Sequence, residues 1–198
     1  MRVAVVTSAS KGTPWAEVTL PNRLEYCVRH DYTLIVQCEP YQQALDGFGR
    51  LHALLQLFDL VWTLDADCLI TDLTRRIEDV PELGPHVSIC EEGLGPHALV
   101  NGGSMVWRAT HLTNALISEI VHYQPEWMPL EFNLQQWLMR HHERLADRLT
   151  ICHTRAFNGI EHGQKKVWQQ GDLVYHPCGA PAAIRCRMLR DHLQHVVR

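Results

Sequence analysis

The stretch VWTLDADCLI, residues 61–70, decides how the chain is read. Up to Leu64 it is an apolar run of the kind that forms a strand buried on both faces. Asp65 and Asp67 then place two carboxylates where such a strand would bury Leu or Val. Carboxylates buried without partners cost several kcal/mol or shift their pKa until they neutralise. One explanation is a loop that happens to be acidic; the other is a cation site. On a strand, residues i and i+2 project to the same side, so Asp65 and Asp67 converge just past the strand's carboxyl end. That edge is where open α/β sheets bind their ligands. A divalent cation removes the cost of the two charges, and oxygen ligands favour hard ions such as Mg2+ or Mn2+.

Working outward, short apolar runs alternate with helical patterns. RVAVVT (Arg2 to Thr7) reads as a first strand, followed by a small polar loop through Thr13. After Pro21, Leu24, Cys27 and Val28 fall at helical spacing, with Asn22 as N-cap and Asp31 closing the helix. TLIVQC is a second strand, and RLHALLQLF (Arg50 to Phe58) a helix leading into the acidic strand. VSIC and LVNGGSMVW are further strands. Thr110 caps a helix to about His122, a second helix runs from Pro129 to Ala146, LTICH is extended, DLVYHP is a last strand and AAIRCRMLRDHLQHVV a basic terminal helix. The polar stretch 159–171 reads as a flexible loop. This alternation predicts an α/β fold: a Rossmann-like domain with a mixed, mostly parallel sheet flanked by helices, occupying residues 1–198 as one unit.

The totals exclude several classes. Of the 198 residues 46% are hydrophobic, enough for one full-sized core. The formal charge of −4 gives no electrostatic reason to expect nucleic acid as a partner. No apolar run reaches the length of a transmembrane span, and MRVAVVTSAS lacks a convincing secretory h-region and cleavage site, so a cytosolic location is expected. The seven cysteines form no C-x-x-C pair, which argues against structural zinc and for reduced, buried thiols. His141-His142-Glu143 lacks the i, i+4 histidine pair of a zinc helix and reads as a helix end.

Other residues join the acidic pair. Thr7 and Ser8 end the first strand. Asn101-Gly102-Gly103 sets two glycines beside an apolar strand, either as a bulge or to leave room for a ligand. His176 ends the last strand, as a structural imidazole or as a third ligand beside Asp65 and Asp67.

In this order the segments resemble the family 34 glycosyltransferases, the galactosyl- and xylosyltransferase-like group with the A-type glycosyltransferase fold. NRLEYCVRHDY is similar to the family's helix and following turn, with Asp31 for Gly. Arg50, in GRLHALLQLF, matches a basic residue ahead of the D-x-D strand, and VWTLDADCLITDL matches that strand. LVNGGSMVWRAT resembles the Asn-Thr-Gly-Ser segment with Gly102 for Thr, ICHTRAFNGI a segment ending in Asn-x-Tyr, and GDLVYHPCG the terminal His-Phe-x-Gly with Pro177 for Phe.

The resemblance implies a nucleotide-sugar donor, a UDP-sugar, a glycan acceptor, and Mn2+ or Mg2+. It implies Asp65, Asp67 and His176 as metal ligands, with Ala66 between the acids on the donor side. Thr7 and Ser8 would flank the uridine, Arg50, Asn101, Gly102 and Gly103 would face the donor sugar or phosphates, and Gly179 would let the backbone approach the diphosphate. Arg185 is a further candidate for neutralising phosphate. Glu131, in PLEFNLQQW, falls on an acidic position near the reacting sugar, or serves as a first-turn helix carboxylate. Leu130 and Phe132 depart from the pattern there. The family retains anomeric configuration, and the form expected here is a stand-alone viral or bacterial catalytic domain. Two rivals stay open: a sugar-nucleotidyltransferase, for which TSASKGTPW lacks a G-x-G run, and a non-catalytic nucleotide-sugar or glycan-binding protein on the same scaffold.

Overall fold

The computed structural model describes the chain except residues 10–12, 39–43, 94–99, 128–132 and 163–164. The elements are, in order, β1 (Val3–Ser8), α1 (Ala16–His30), β2 (Thr33–Gln37), α2 (Ala44–Leu54), β3 (Leu60–Leu64), β4 (Leu69–Ile70), β5 (Val87–Glu91), β6 (Val100–Arg108), α3 (His111–His122), α4 (Gln124–Trp127), α5 (Asn133–Arg140), β7 (Leu149–Cys152), β8 (Gly159–His162), β9 (Lys165–Lys166), β10 (Val174–His176) and α6 (Ala182–His192).

Six strands form one sheet in the order β2-β1-β3-β6-β5-β7. β1 pairs in parallel with β2 and β3, and β7 with β5, whereas β6 runs antiparallel to both β3 and β5. The sheet is therefore mixed, as expected, and the carboxyl ends of β1, β3, β5 and β7 share one edge. A second sheet, β4-β10-β8-β9, sits beside it and joins the segment after the acidic pair to the last strand: Val174 pairs with Ile70 and Tyr175 with Leu69. The apolar runs of β1 and β3 are unbroken because helices or loops cover both faces. Val3, Val5, Trp62 and Leu64 pack with Tyr26 and Cys27 of α1 on one face; Ala4, Val6 and Val61 pack with Leu51, Leu116 and Trp137 on the other. Among the described residues no helix is long and apolar enough to cross a membrane. The cysteines are free, five of them buried.

Several local expectations change. α1 begins at Ala16, not Asn22, and runs through Pro21 at the loss of a main-chain hydrogen bond. Asn22 is therefore an interior residue, and Asp31 closes the helix in the left-handed region at φ 58. The face expected to be buried is partly outside, with Leu24 54% and Val28 74% exposed; Thr19, Asn22, Arg23, Tyr26 and His30 point inward instead. α2 ends at Leu54 rather than Phe58, and the second late helix ends at Arg140 rather than Ala146, its predicted start at Pro129 lying outside the described residues. Within 159–171, residues Gly159–His162 and Lys165–Lys166 are strands, not loop. Thr110 caps α3 as expected, its hydroxyl accepting from Thr113 N–H at 3.1 Å.

Candidate active site

Asp65, Ala66 and Asp67 do not continue β3, which ends at Leu64. They form a turn, closed where Cys68 N–H donates to the Asp65 carbonyl at 3.0 Å, so it is the turn and not strand alternation that aims the two carboxylates. Asp65 N–H donates to the Gly103 carbonyl at 2.8 Å. On the other side, α1 supports the turn: Thr19 Oγ1 donates to the Ala66 carbonyl at 2.7 Å, and Arg23 donates to the carbonyls of Asp65 and Cys68 and to the Thr7 hydroxyl. Burial depresses the Arg23 pKa, against the opposing influence of Cys68, Asp65 and Asp67.

The Asn-Gly-Gly segment is a bulge. Opposite β5 the register jumps from Ile89–Met105 to Cys90–Asn101, leaving Gly102, Gly103 and Ser104 without partners on that side. The room at Gly103 is taken by a side chain of this protein: a Cβ there would lie 2.2 Å from His176 Cε1. At Gly102 the nearest atom, Gln135 Nε2, would be 3.4 Å away.

A chain of hydrogen bonds starting from a main-chain donor fixes His176. Gly103 N–H donates to Asn101 Oδ1 at 2.9 Å, so that atom is an acceptor. Asn158 Nδ2 donates to the same oxygen at 2.9 Å, which turns Asn158 Oδ1 toward His176 Nδ1 at 3.2 Å. Nδ1 must then carry the proton, and Nε2 is the atom aimed at Asp67, whose Oδ1 is 3.5 Å away. All three residues are buried.

Arg185 completes the centre. Its NH1 group lies 2.8 Å from Asp67 Oδ2, its NH2 donates to the Ala180 carbonyl at 2.9 Å, and its guanidinium stacks 4.6 Å from the Trp15 ring centroid. Its buried Nε has no partner. Burial opposes ionisation of Asp67, but the hydrogen bond and charge of His176 and the charge of Arg185 hold its carboxyl below the ordinary range. Asp65 is solvent-accessible on the cavity side, yet protein crowds its carboxyl and pushes its pKa up; His176 opposes this and Asp67 adds to it. Burial works against a charged His176, and Cys68 and Asp67 outweigh it and push the imidazole well above its usual value.

The donor set suits a divalent cation. The donor atoms of Asp67, Cys68 and His176 lie within 4.8 Å of one another, and hydrogen bonding leaves Nε2 directed at the carboxylate. Carboxylate and imidazole donors fit Mn2+ and similar ions, whereas the Cys68 thiol, which donates to the Gly103 carbonyl at 3.2 Å, is a soft group that such ions do not favour. Asp65 is not one of the three. It lines a cavity of about 660 Å3, with Thr7, Ser8 and Gly102 beside it and Val6, Leu51, Met105 and Trp107 as an apolar floor.

The predicted residues thus divide. Asp67, Asn101, Gly103 and His176 belong to one network, and Thr7, Ser8, Asp65 and Gly102 line the cavity next to it. Ala66 lies in the turn between them. Gly179, at φ 70, occupies a left-handed position after β10, where a Cβ would meet His162 Nε2 at 3.0 Å. Arg50 is exposed on α2 and is not among the residues lining the cavity. Glu131 lies outside the described residues. The sequence reading gave no role to Asn158 or to the inward residues of α1. A visible signal existed for the latter: Thr19, Asn22, Arg23, Tyr26 and His30 form a polar stripe at helical spacing.

No protein-family model and no curated protein matches the chain. Solved structures do. A glycosyltransferase involved in the glycosylation of the major capsid of PBCV-1 superposes with TM-score 0.74 at 17% identity, over 96% of this chain and 100% of that one. The galactosyltransferase LgtC, solved with donor and acceptor sugar analogs, gives TM-score 0.56 at 12% identity over 98% and 96%. CTP:phosphocholine cytidylyltransferase LicC from Streptococcus pneumoniae gives TM-score 0.50 at 11% identity over 98% and 100%. At these identities the likeness is one of fold, and the chain has the A-type glycosyltransferase architecture, a Rossmann-like α/β fold with a mixed central sheet.

Proposed function

We propose that the chain is a metal-dependent glycosyltransferase, a single catalytic unit across residues 1–198 of the family 34 type and cytosolic. It moves a sugar from a nucleotide-sugar donor, a UDP-sugar, to a hydroxyl of a glycan acceptor with retention at the anomeric carbon. The observation that carries this reading is the approach of Asp67 and His176 to 3.5 Å at the carboxyl edge of the sheet, beside the cavity lined by Asp65.

A divalent cation held by Asp65, Asp67 and His176 would supply Lewis-acid stabilisation of the diphosphate leaving group. The chain's own residues do the rest. Thr7 and Ser8 line the cavity and would flank the nucleoside, and Gly102 on the bulge lines it too and would face the donor. Arg185, with an unpartnered buried Nε, brings fixed positive charge to where the leaving group becomes negative. The sugar carbon would pass through an oxocarbenium-like state against the apolar floor of the cavity. Arg50 and Asn101 would face the donor, Gly179 would let the backbone approach the diphosphate, and Glu131 would be the catalytic carboxylate.

The likeness to a cytidylyltransferase supports one second reading, a sugar-nucleotidyltransferase. A panel of UDP-, GDP- and CMP-sugars, with and without Mn2+, separates them. The proposal expects nucleotide release from a UDP-sugar that requires the cation and is abolished in Asp67→Ala. UDP binding of equal strength without metal defeats the metal assignment. Pyrophosphate released from UTP and a sugar phosphate points to nucleotidyl transfer, and donor binding without release to a binding protein.

A further inference from the structure

We propose that Arg23 is the positioning residue of the acidic turn: with the polar face of α1 around it, it holds Asp65, Ala66 and Asp67 in cation-binding geometry and ties them to the donor-side end of β1. This rests on the cation site of the preceding section.

Arg23 is fully buried, one of the largest side chains to be so. Its hydrogen-bond partners are neutral oxygens. NH1 donates to the Thr7 hydroxyl, and NH2 forks over the Asp65 carbonyl and, at 2.8 Å, the Cys68 carbonyl. A buried cation is costly unless opposite charge stands nearby. Here that charge is on the very turn whose carbonyls it holds, in Asp65 and Asp67.

The fork spans the turn from end to end. Between its two carbonyls, Thr19 takes the third, that of Ala66, at 2.7 Å. Just downstream, Asn22 pairs with both main-chain groups of Ile70 at 2.9 Å each. His30 contacts the Leu73 carbonyl at 2.9 Å, and Tyr26 donates to that of Arg75 at 3.0 Å. One helix face therefore supplies hydrogen-bond partners along this segment, beside the pairing of β4 with β10.

The turn has a specific need for such a mould. It carries two like charges that repel when no cation lies between them, and a turn lacks a strand's pairing to resist. With the carbonyls of Asp65, Ala66 and Cys68 committed to α1, the main chain that sets the starting points of the two carboxylates cannot swing without breaking those bonds. Thr7 extends the effect, because its hydroxyl sits at the end of β1 that lines the cavity. A planar guanidinium can serve three acceptors in fixed directions; an ammonium in the same place keeps the charge and loses that geometry.

The test is Mn2+ binding, read from the electron paramagnetic resonance signal of free Mn2+ with UDP present, beside thermal unfolding of each variant. Arg23→Lys is expected to unfold cooperatively yet bind Mn2+ about tenfold or more weakly, with turnover recovered at saturating Mn2+. Thr19→Val, which removes one bond to the turn and keeps the shape, is expected to show a smaller loss in the same direction. A folded Arg23→Lys that binds Mn2+ within about twofold of the parent overturns the proposal. Should that variant fail to fold, Thr19→Val decides, and unchanged affinity overturns it. A parent protein that takes up no Mn2+ defeats the metal-dependent reading itself in the first titration, before any variant is compared.

Discussion

Gly103 has no side chain because His176 occupies its place. A Cβ at this position would approach Cε1 to 2.2 Å and Nδ1 to 2.6 Å, distances at which the ring must move. Gly103→Ala is therefore expected to keep the fold by far-UV circular dichroism and to weaken Mn2+ binding by about tenfold or more, because the ring loses its bond to Asn158. Gly102→Ala, with a nearest contact at 3.4 Å, is the matched control and should bind the cation as the parent does. At this scale the sequence was legible where chemistry is local. Two acids at the end of an apolar run, and a histidine ending a later strand, announce themselves by residue type. The role of Asn158 was not legible, because its partners Asn101 and His176 are joined to it only by folding.

Elements were legible where one boundary signal decided them, as Thr110 did for α3, and illegible where polar residues formed the buried face, as in α1. Counting apolar periodicity there selected Cys27, which is buried, but also Leu24 and Val28, which are exposed, because part of the surface α1 covers is main chain that polar side chains meet. α3 offers a test of docking between elements. Its Glu119 accepts from Arg144 and, at 2.6 Å, from Arg148, both in the turns after α5. Partial burial opposes the charge on Glu119, but the two arginines hold its carboxyl below the ordinary range. A lowered folded-state pKa contributes stability above the usual glutamate range, lost as pH falls through the folded value. Glu119→Gln should therefore cost up to about 1 kcal/mol at pH 7. In urea unfolding, that difference from the parent should shrink in acid.

For the whole molecule, the mixed sheet followed from the alternation of runs and helices. The second, smaller sheet did not, because β4 and β9 are two residues each and carry no periodicity to read. That sheet nevertheless joins the acidic turn to β10. A ligand bridging the two should stiffen the protein as one body: with the Mn2+–UDP complex, taken as one ligand, at about 100 times its dissociation constant, stability should rise by about 2.7 kcal/mol. In a thermal scan the midpoint should move for the pair and little for UDP alone.

The pairing of β4 with β10 also sets the order in which the protein can mature. Asp67 emerges from the ribosome before His176, and the ladder that brings them together has only two residue pairs. Such long-range closure is slow compared with local helix formation. A nascent chain released before β10 would present both acids with no imidazole to share a cation with them. With the cation bound as proposed, a nicked protein that loses β10 is expected to lose the cation before it loses its main sheet.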